Sequence, residues 1–300
     1  MPARPPSPRS SPDASRRRAA KSVRSSLAAT WTPRCSARSS TRRPSRQLRT
    51  ALAAHATTSP ALRAPPLSRP LLLLFDIDGT LTIGGPGKTA FRIALERTYG
   101  TAGPIVNHDF SGKTDPLLLR ELLTAAGLTA ADIRAGLPRF WELYLAELEA
   151  RIGADPVAVL PGVRELFGAL TARSDVYLGL VTGNVKGGAR VKLGSVGLWE
   201  HFPIGAFGCD HEVRDELPPV ALRRAEAHWG RPFRGEDTVV IGDTPRDVSC
   251  GKAVGAATVA VTTGRFSADA LEQAGADRVL PGFADVDAAL AALVAFRDST

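Results

Sequence analysis

The sequence predicts an α/β fold built on a parallel sheet, and three observations lead to this class. Short apolar runs alternate with helical patterns from Pro70 onward, which is typical of a parallel sheet wrapped by helices. The run Leu71–Phe75 is apolar throughout, as expected for a strand buried on both faces. The chain has 300 residues, 44% of them hydrophobic, which is enough for a full core and for a second domain.

Apolar runs predict the strands Leu71–Asp76, Val176–Thr182, Pro203–Phe207, Thr238–Asp243 and Ala257–Val261, with a short last strand at Arg278–Leu280. Helical spacing predicts helices between them at Val163–Ala172, Val185–Gly197, Pro218–Trp229, Pro245–Val254 and Ala268–Ala274, with a final helix near Val286–Arg297.

The interval between Leu81 and Leu160 breaks this alternation because it holds no convincing strand. Its helix-like segments are Lys88–Tyr99, Pro116–Ala126 and Ala130–Ile152. Such an interval is too long for a loop in a compact domain. We therefore expect a helical cap, residues 84–159, inserted into a Rossmann-like core formed by residues 70–83 and 160–300. A flexible hinge for this cap is predicted at Gly84, Gly85 and Gly87.

Residues 1–69 differ in composition from the rest of the chain. They hold 15 basic residues and one acidic residue, against 23 basic and 29 acidic residues in the remainder, so the net charge of +8 belongs to this tail. Arg, Ser, Ala and Pro dominate it, and no hydrophobic period persists, which predicts a disordered tail. An organelle transit peptide and upstream sequence translated from a misplaced start codon are the alternatives.

Binding partners and location follow from the same composition. The mildly acidic folded part implies no polyanion-binding surface, and the basic tail lacks the interleaved aromatic residues that stack on bases. No apolar stretch approaches the roughly 18 residues of a spanning helix. We therefore expect a cytoplasmic monomer or homodimer that binds neither nucleic acid nor membrane, with organelle targeting by the tail left open.

Asp76 and Asp78 follow the first predicted strand in the segment LFDIDGTL. Side chains alternate along a strand, so both carboxylates point the same way while Ile77 points back. Two crowded carboxylates need a cation or a shared proton. Ligands of open α/β sheets bind at the carboxyl ends of the strands. The pair therefore predicts a functional site at this edge.

The segment Thr182-Gly183-Asn184 lies where a predicted strand gives way to a helix. A hydroxyl together with free backbone N–H groups at a helix N-terminus can bind an anion. Taken alone, the segment is better explained as an ordinary helix cap, because Thr and Asn both cap helices well.

Asp243 follows Gly242 at the end of another predicted strand, and the lack of a side chain at Gly242 to shield the loop above this buried strand favours a functional role. Asp247 falls in the first turn of the next helix, where a functional role and a favourable interaction with the helix dipole explain it equally well. Arg214 lies in a polar stretch before a helix, and by itself it is typical of a solvated surface arginine.

Together these residues predict one site. Carboxylates of Asp76, Asp78 and Asp243 offer the oxygen ligands that Mg²⁺ prefers. Thr182 and Arg214 can donate to phosphate oxygens. A carboxylate nucleophile, a metal ion and a cation around a phosphoryl group are the parts needed for aspartyl-phosphate chemistry.

The order D-x-D-G-T-L, T-G-N, a basic residue and G-D-T-P-x-D resembles the haloacid dehalogenase superfamily of hydrolases, over roughly residues 71–296. The closest resemblance is to phosphoglycolate-phosphatase-like members, which carry a helical cap between the first two motifs. The resemblance implies a Mg²⁺-dependent phosphatase that hydrolyses a small phosphorylated metabolite through an aspartyl-phosphate.

The resemblance also implies residue roles. Asp76 would be the nucleophile and a metal ligand. Asp78 would protonate the leaving alcohol, activate water and offer its backbone carbonyl to the metal. Asp243 would bind Mg²⁺, with Asp247 assisting directly or through water.

Phosphate-binding roles follow in the same way, with the transferring phosphoryl group held by Thr182 and the amide of Gly183 or Asn184. The third motif of the family usually holds Lys, and Arg214 is the candidate here. The segment Phe110–Asp115 resembles the substrate-facing stretch of the cap, so Lys113 and Asp115 are candidate specificity residues. A helix N-terminus explains Thr114 and Asp115 equally well.

Other functions stay open at this stage. Dehalogenases and phosphonatases of the superfamily lack the second aspartate, so Asp78 argues against them. A phosphomutase keeps both aspartates. A non-catalytic binding module that works through the basic tail is the alternative of a different class. The identity of the physiological substrate is not predicted.

Overall fold

The computed structural model describes residues 69–297. Its core is a six-stranded sheet whose strands are all parallel. From one edge to the other, the strands are Ile204–Phe207, Val176–Thr182, Leu71–Phe75, Thr238–Gly242, Ala257–Val261 and Arg278–Leu280. This confirms the predicted α/β class and its parallel sheet. The expectation of a disordered tail over residues 1–69 lies, apart from Arg69, outside the described residues.

The strands of this sheet begin and end within one residue of the predicted limits. They are β1 (Leu71–Phe75), β4 (Val176–Thr182), β5 (Ile204–Phe207), β6 (Thr238–Gly242), β7 (Ala257–Val261) and β8 (Arg278–Leu280).

Helices cover both faces of the sheet and fill the interval after β1. They are α1 (Gly87–Tyr99), α2 (Asp115–Ala125), α3 (Ala130–Arg151), α4 (Val163–Thr171), α5 (Lys186–Ser195), α6 (Leu217–Trp229), α7 (Pro245–Lys252), α8 (Ala268–Gln273) and α9 (Val286–Val294).

The side chains of β1 are buried on both faces of the sheet. Leu72 and Leu74 belong to a cluster that includes Ala221 of α6 and Cys250 of α7. On the other side, the Phe75 ring contacts the edge of Phe167 in α4, with 5.4 Å between ring centroids. Burial on both faces explains why this strand is apolar at every position.

The interval after β1 contains two short strands that the sequence did not predict. β2 (Thr82–Gly84) and β3 (Val157–Val159) pair in antiparallel fashion. The expectation of no strand between Leu81 and Leu160 was therefore wrong. Three residues are too few to show a period of two, and these strands exist only because their distant partners meet.

Helices α1, α2 and α3 lie between these two strands, and we call residues 85–156 the helical insertion. The Phe91 ring of α1 packs against Phe140 and Tyr144 of α3, at centroid distances of 5.0 and 5.3 Å. The insertion thus has an aromatic core of its own. Gly84 and Gly85, at its start, have φ of +80° and +86°, a conformation that favours glycine.

Within residues 69–297, no helix combines the length and the apolar character needed to cross a bilayer.

Candidate active site

The pairing of three strands brings distant motifs to one edge of the sheet. Phe75, the last residue of β1, is aligned with Leu180 in β4 and Ile241 in β6. The N–H of Asp76 donates to the Ile241 carbonyl at 2.9 Å. Asp76 and Asp243 therefore lie side by side at the carboxyl edge, as the sequence predicted.

Asp76, Asp243 and Asp247 form a buried carboxylate cluster. One oxygen from each lies within 4.8 Å of the others. Arg214 also reaches this cluster: its Nη2 lies 3.0 Å from Oδ1 of Asp76 and donates to Asp247 as well. Only 6% of the Arg214 side chain is exposed, so its interpretation as a solvated surface arginine was wrong.

Glycines leave the space that two of these carboxylates occupy. A Cβ added to Gly79 would lie 2.4 Å from Oδ2 of Asp243, and one added to Gly264 would lie 1.7 Å from the same oxygen. A Cβ added to Gly242 would lie 2.1 Å from Cγ of Asp247. Gly79 also has φ of +83°. No other residue fits at these positions without moving a carboxylate, which explains the glycines in the D-x-D-G and G-D motifs.

Asp247 has a second role at the start of α7. Thr244 caps this helix, its hydroxyl donates to Oδ2 of Asp247 at 2.7 Å, and Pro245 follows at the first helical position. Oδ2 of Asp247 supports this cap, while Oδ1 accepts from Arg214. The predicted position of Asp247 in the first turn is therefore confirmed, and the same side chain also belongs to the cluster.

The carboxylate cluster carries more negative charge than Arg214 compensates. Burial raises the pKa of Asp76 to about 6, against the opposing charge of Arg214 and with the support of Asp247. Burial, followed by the charges of Asp247 and Asp76, raises the pKa of Asp243 to about 8. Three buried carboxylates thus lie near one positive charge, the guanidinium of Arg214, and burial makes their ionised forms unfavourable.

This donor set suits a hard divalent cation. Mg²⁺ prefers oxygen ligands, binds through one or two carboxylates and keeps several waters. A second cation beside Arg214 would favour the ionised forms of Asp76 and Asp243, whose pKa values are raised in its absence. Asp76, Asp243 and Asp247 are the residues that could hold Mg²⁺.

The carboxylate of Asp78 lies apart from this cluster and has other partners. The ammonium of Lys192 donates to its two oxygens at 2.8 and 2.7 Å, and Nδ2 of Asn184 donates to Oδ2 at 2.8 Å. Burial disfavours the charged form, but the adjacent Lys192 outweighs it and lowers the pKa of Asp78. Among the described residues, the three-carboxylate group does not include Asp78, so the expected metal ligation by Asp78 stays a proposal for its backbone carbonyl alone.

The segment Thr182-Gly183-Asn184 does not cap α5 with its side chains. The N-cap of α5 is Val185, without a side-chain cap of its own, and the carboxylate of Asp115 accepts from the Val185 N–H at 2.8 Å. Asn184 instead reaches Asp78 and donates to the Thr182 hydroxyl at 3.0 Å. The interpretation as an ordinary cap was therefore wrong.

Thr182, which is fully buried, interacts with Asp76, and this interaction partly offsets the rise that burial causes in the pKa of the Asp76 carboxyl. A Cβ at Gly183 would lie 2.1 Å from the carbonyl oxygen of Lys113. Gly183 is thus the residue that lets the helical insertion approach the end of β4.

Lys113 and Asp115 of the insertion both face the same cavity, but each has a partner. The Lys113 ammonium donates to Glu121 at 2.7 Å. Asp115 is 8% exposed, and burial raises its pKa to about 6. Thr114 between them caps α2 by accepting from Leu117 N–H at 3.3 Å, so the interpretation as a helix N-terminus is confirmed.

A cavity of about 600 Å³ lies between the carboxyl edge of the sheet and the insertion. Its walls include Asp76, Asp78 and Asp243 on one side and Phe91, Phe110 and Tyr144 on the other. Lys88, at the start of α1, also lines it, with its ammonium 5.2 Å from the Phe110 ring centroid.

Sequence reasoning missed Lys192, and a signal for it was present. Lys192 falls on the buried face of α5 with Gly188, Ala189 and Leu193. A lysine in an apolar stripe is a departure from helical amphipathicity that indicates a buried partner.

Burial lowers the pKa of Lys192, but Asp78, Asp115 and Asp76 raise it above its ordinary value.

Comparison with known proteins gives the family. A model of the haloacid dehalogenase-like hydrolase family matches residues 71–255. A phosphoglycolate phosphatase of Rhodospirillum rubrum is 30% identical over 229 residues, which cover 72% of this chain and 89% of that protein. The "Probable phosphatase IndB" of Dickeya dadantii is 25% identical over 231 residues, 76% of this chain and 96% of that protein.

Among solved structures, a predicted phosphatase from Clostridium acetobutylicum superposes with a TM-score of 0.57 at 18% identity. The match covers 76% of this chain and all of that one. At this identity the likeness shows the shared fold.

Proposed function

The chain belongs to the haloacid dehalogenase-like hydrolase family, and we propose on this premise that it is a Mg²⁺-dependent phosphatase of small phosphate monoesters. The observation that carries the proposal is the meeting of Asp76, Asp243 and Asp247 around Arg214. A nucleophilic carboxylate beside a cation and a candidate metal site is suited to attack on a phosphoryl group.

In the first half-reaction, a carboxylate oxygen of Asp76 attacks phosphorus. The ester P–O bond breaks, its electron pair stays on the leaving oxygen, and Asp78 supplies the proton that makes the alcohol. In the second half-reaction, Asp78 takes a proton from water as the water oxygen attacks phosphorus. The bond between phosphorus and the Asp76 oxygen breaks, its electron pair returns to the Asp76 carboxylate, and inorganic phosphate is released. The lowered pKa of Asp78 suits the proton-accepting half-reaction, and the proton that Asp78 takes from water there is the one it gives to the leaving alcohol in the next turnover.

Phosphate oxygens need donors throughout both steps. We assign this role to the Thr182 hydroxyl and the backbone amide of Gly183 or Asn184, and assign to Arg214 the third-motif position that is usually Lys in the family. Arg214 also forms ion pairs with two buried carboxylates, those of Asp76 and Asp247. Bound Mg²⁺ would supply electrostatic stabilisation of the phosphoryl oxygens. The groups that would hold the ion are Asp76, Asp243, Asp247 and the Asp78 carbonyl.

We propose that residues 84–159 act as a cap over a core formed by residues 70–83 and 160–300. Contacts between the two parts support this division: Asp115 N–H donates to the Gly183 carbonyl at 2.8 Å, and Thr114 donates to the Glu212 carbonyl at 2.6 Å. A closed cap excludes water during attack by Asp76.

Relatives named phosphoglycolate phosphatase suggest 2-phosphoglycolate as the first substrate to test. One observation supports an anionic leaving group. Of the cavity-lining lysines and arginines in the described part of the chain, Lys88 is the one without a carboxylate partner in the structure; its ammonium donates to the Val106 carbonyl at 3.1 Å. Lys113 is neutralised by Glu121. We further propose a cytoplasmic location.

The decisive experiment measures release of inorganic phosphate from 2-phosphoglycolate, sugar phosphates, nucleotides and p-nitrophenyl phosphate, with Mg²⁺ and with EDTA. Metal-dependent phosphate release supports the phosphatase. Interconversion of a phosphosugar without net release indicates a phosphomutase. Retention of nucleic acid with no turnover on any ester indicates the binding module.

A further inference from the structure

Lys192 is a buried charge that the reaction described above does not use. Its side chain is 8% exposed, and its ammonium contacts the two oxygens of Asp78 at 2.8 and 2.7 Å. It comes from α5, far along the chain from Asp78. The pair is therefore a product of tertiary packing.

The ion pair is asymmetric in its exposure. The Asp78 side chain is 45% exposed toward the cavity, whereas that of Lys192 is 8% exposed. Nδ2 of Asn184 adds a third hydrogen bond to this carboxylate, at 2.8 Å. Lys192 and Asn184 thus hold the Asp78 carboxylate from the protein side. Its exposed side faces the cavity, where an ester oxygen would lie.

A purely structural reason for this pair is weak. Buried ion pairs replaced by apolar groups of similar volume are often neutral or stabilising, and α5 is otherwise apolar on this face. A free aspartate side chain, by contrast, samples several rotamers, and proton transfer demands a fixed geometry. The ion pair is therefore better explained as a contact that fixes the orientation of the Asp78 carboxylate.

We propose, on the basis of the proposed phosphatase function, that Lys192 is a positioning residue that holds Asp78 in line with the leaving-group oxygen. Lys192 acts through Asp78 and exchanges no atom with the substrate. Its removal therefore affects the step in which Asp78 gives its proton to the alcohol as the ester P–O bond breaks.

The test uses two esters of different leaving-group basicity. Alkyl phosphates such as 2-phosphoglycolate need a proton on departure, whereas p-nitrophenolate leaves without one. Lys192→Met is expected to lower kcat/KM for the alkyl ester by about 10²-fold, the typical contribution of a general acid, and for p-nitrophenyl phosphate by less than about tenfold. kcat/KM is the appropriate constant because it covers the steps up to release of the alcohol.

Three controls separate positioning from folding. Lys192→Arg keeps the charge and should restore the alkyl ester rate to within about tenfold of wild type. In an Asp78→Asn background, Lys192→Met should cause no further loss, as expected for residues that act through one another. Lys186→Met, on the same helix but with its ammonium over the Phe207 ring, should change neither rate.

Equal losses on the two esters, or a full extra loss in the Asp78→Asn background, would overturn the proposal. So would weaker competitive inhibition of Lys192→Met by inorganic phosphate, which would indicate that Lys192 contributes to binding of the phosphoryl group. If Lys192→Met does not fold, kcat/KM for the two esters is compared in Lys192→Gln and Lys192→Arg instead. A wild-type enzyme that hydrolyses neither ester would instead contradict the proposed function, and this inference with it.

Discussion

Arg214 and Asp76 form an ion pair at the bottom of the cavity, with 3.0 Å between Nη2 and Oδ1. The same guanidinium nitrogen contacts Asp247, and Nη1 donates to the Gly112 carbonyl of the insertion at 3.3 Å. Arg214 thus joins the proposed nucleophile, a candidate metal ligand and the cap. A lysine has no planar fork with which to make these contacts together.

Arg214→Met should therefore be severely impaired. It leaves buried carboxylates without their cation, and breaking such a pair by removing one partner costs about 3–5 kcal/mol of stability. We expect kcat/KM to fall by at least about 10²-fold and the melting temperature to fall as well. Arg214→Lys should retain more activity than Arg214→Met. Equal activity of Arg214→Met and wild type would remove Arg214 from the site.

Asp76→Asn should abolish turnover, because an amide is a poor nucleophile and a poorer metal ligand. Phosphate release should fall by at least about 10³-fold, the scale seen when nucleophiles are removed. Glu142→Gln is the matched control, since Glu142 is an exposed carboxylate on α3. Near-normal rates in Asp76→Asn would show that Asp76 is not the nucleophile.

Metal-free protein should lose stability as pH rises from about 4 to 8. The pKa of Asp243 is raised from 3.8 to about 8 in the folded chain, so the folded state binds this proton more tightly than the unfolded state. Its contribution is fully present below pH 3.8 and is lost as pH rises through 8. The lowered pKa of Asp78 acts oppositely, but only below its ordinary value of 3.8.

Melting temperatures in EDTA and in Mg²⁺ across this range check the prediction. Mg²⁺ replaces the lost proton as the balancing charge, so its stabilising effect should be larger at pH 8 than at pH 5, by at least about 3 °C. In Asp243→Asn, the melting temperature in EDTA and the stabilising effect of Mg²⁺ should both depend less on pH. A Mg²⁺ effect independent of pH in the wild-type protein would contradict this view of the cluster.

Lys88→Met should raise KM for 2-phosphoglycolate by about tenfold, the lower end of a hydrogen bond to a charged group. An ester with an uncharged leaving group, such as glycerol phosphate, should be unaffected. Lys252→Met tests for a general effect of charge, since Lys252 lies on α7 and donates to the Ala274 carbonyl. An equal change for the charged and uncharged esters would argue against recognition of the leaving group by Lys88.

A chain that begins at Arg69 should keep the Mg²⁺-dependent rate to within about twofold, because the site is built entirely from later residues. The cut retains Arg69, whose guanidinium pairs with Glu236 at 2.8 Å and Asp237 at 2.6 Å. Phosphate release by the truncated and full chains is the comparison. Loss of the Mg²⁺-dependent rate on truncation would assign the tail a part in catalysis.

The sequence by itself determined the parallel sheet and the edge at which Asp76 and Asp243 meet. Strand burial appears as apolar runs, and the carboxyl ends of parallel strands share one edge by geometry alone. These are local properties that a single segment carries.

Only the tertiary structure decided the partners of the charged side chains. Lys192 with Asp78, Asp115 with the Val185 N–H, and Arg214 with two carboxylates all join segments far apart in the chain. The short strands β2 and β3 likewise exist only as a pair. Such contacts depend on how helices pack across the sheet, and no periodicity within one segment encodes that packing.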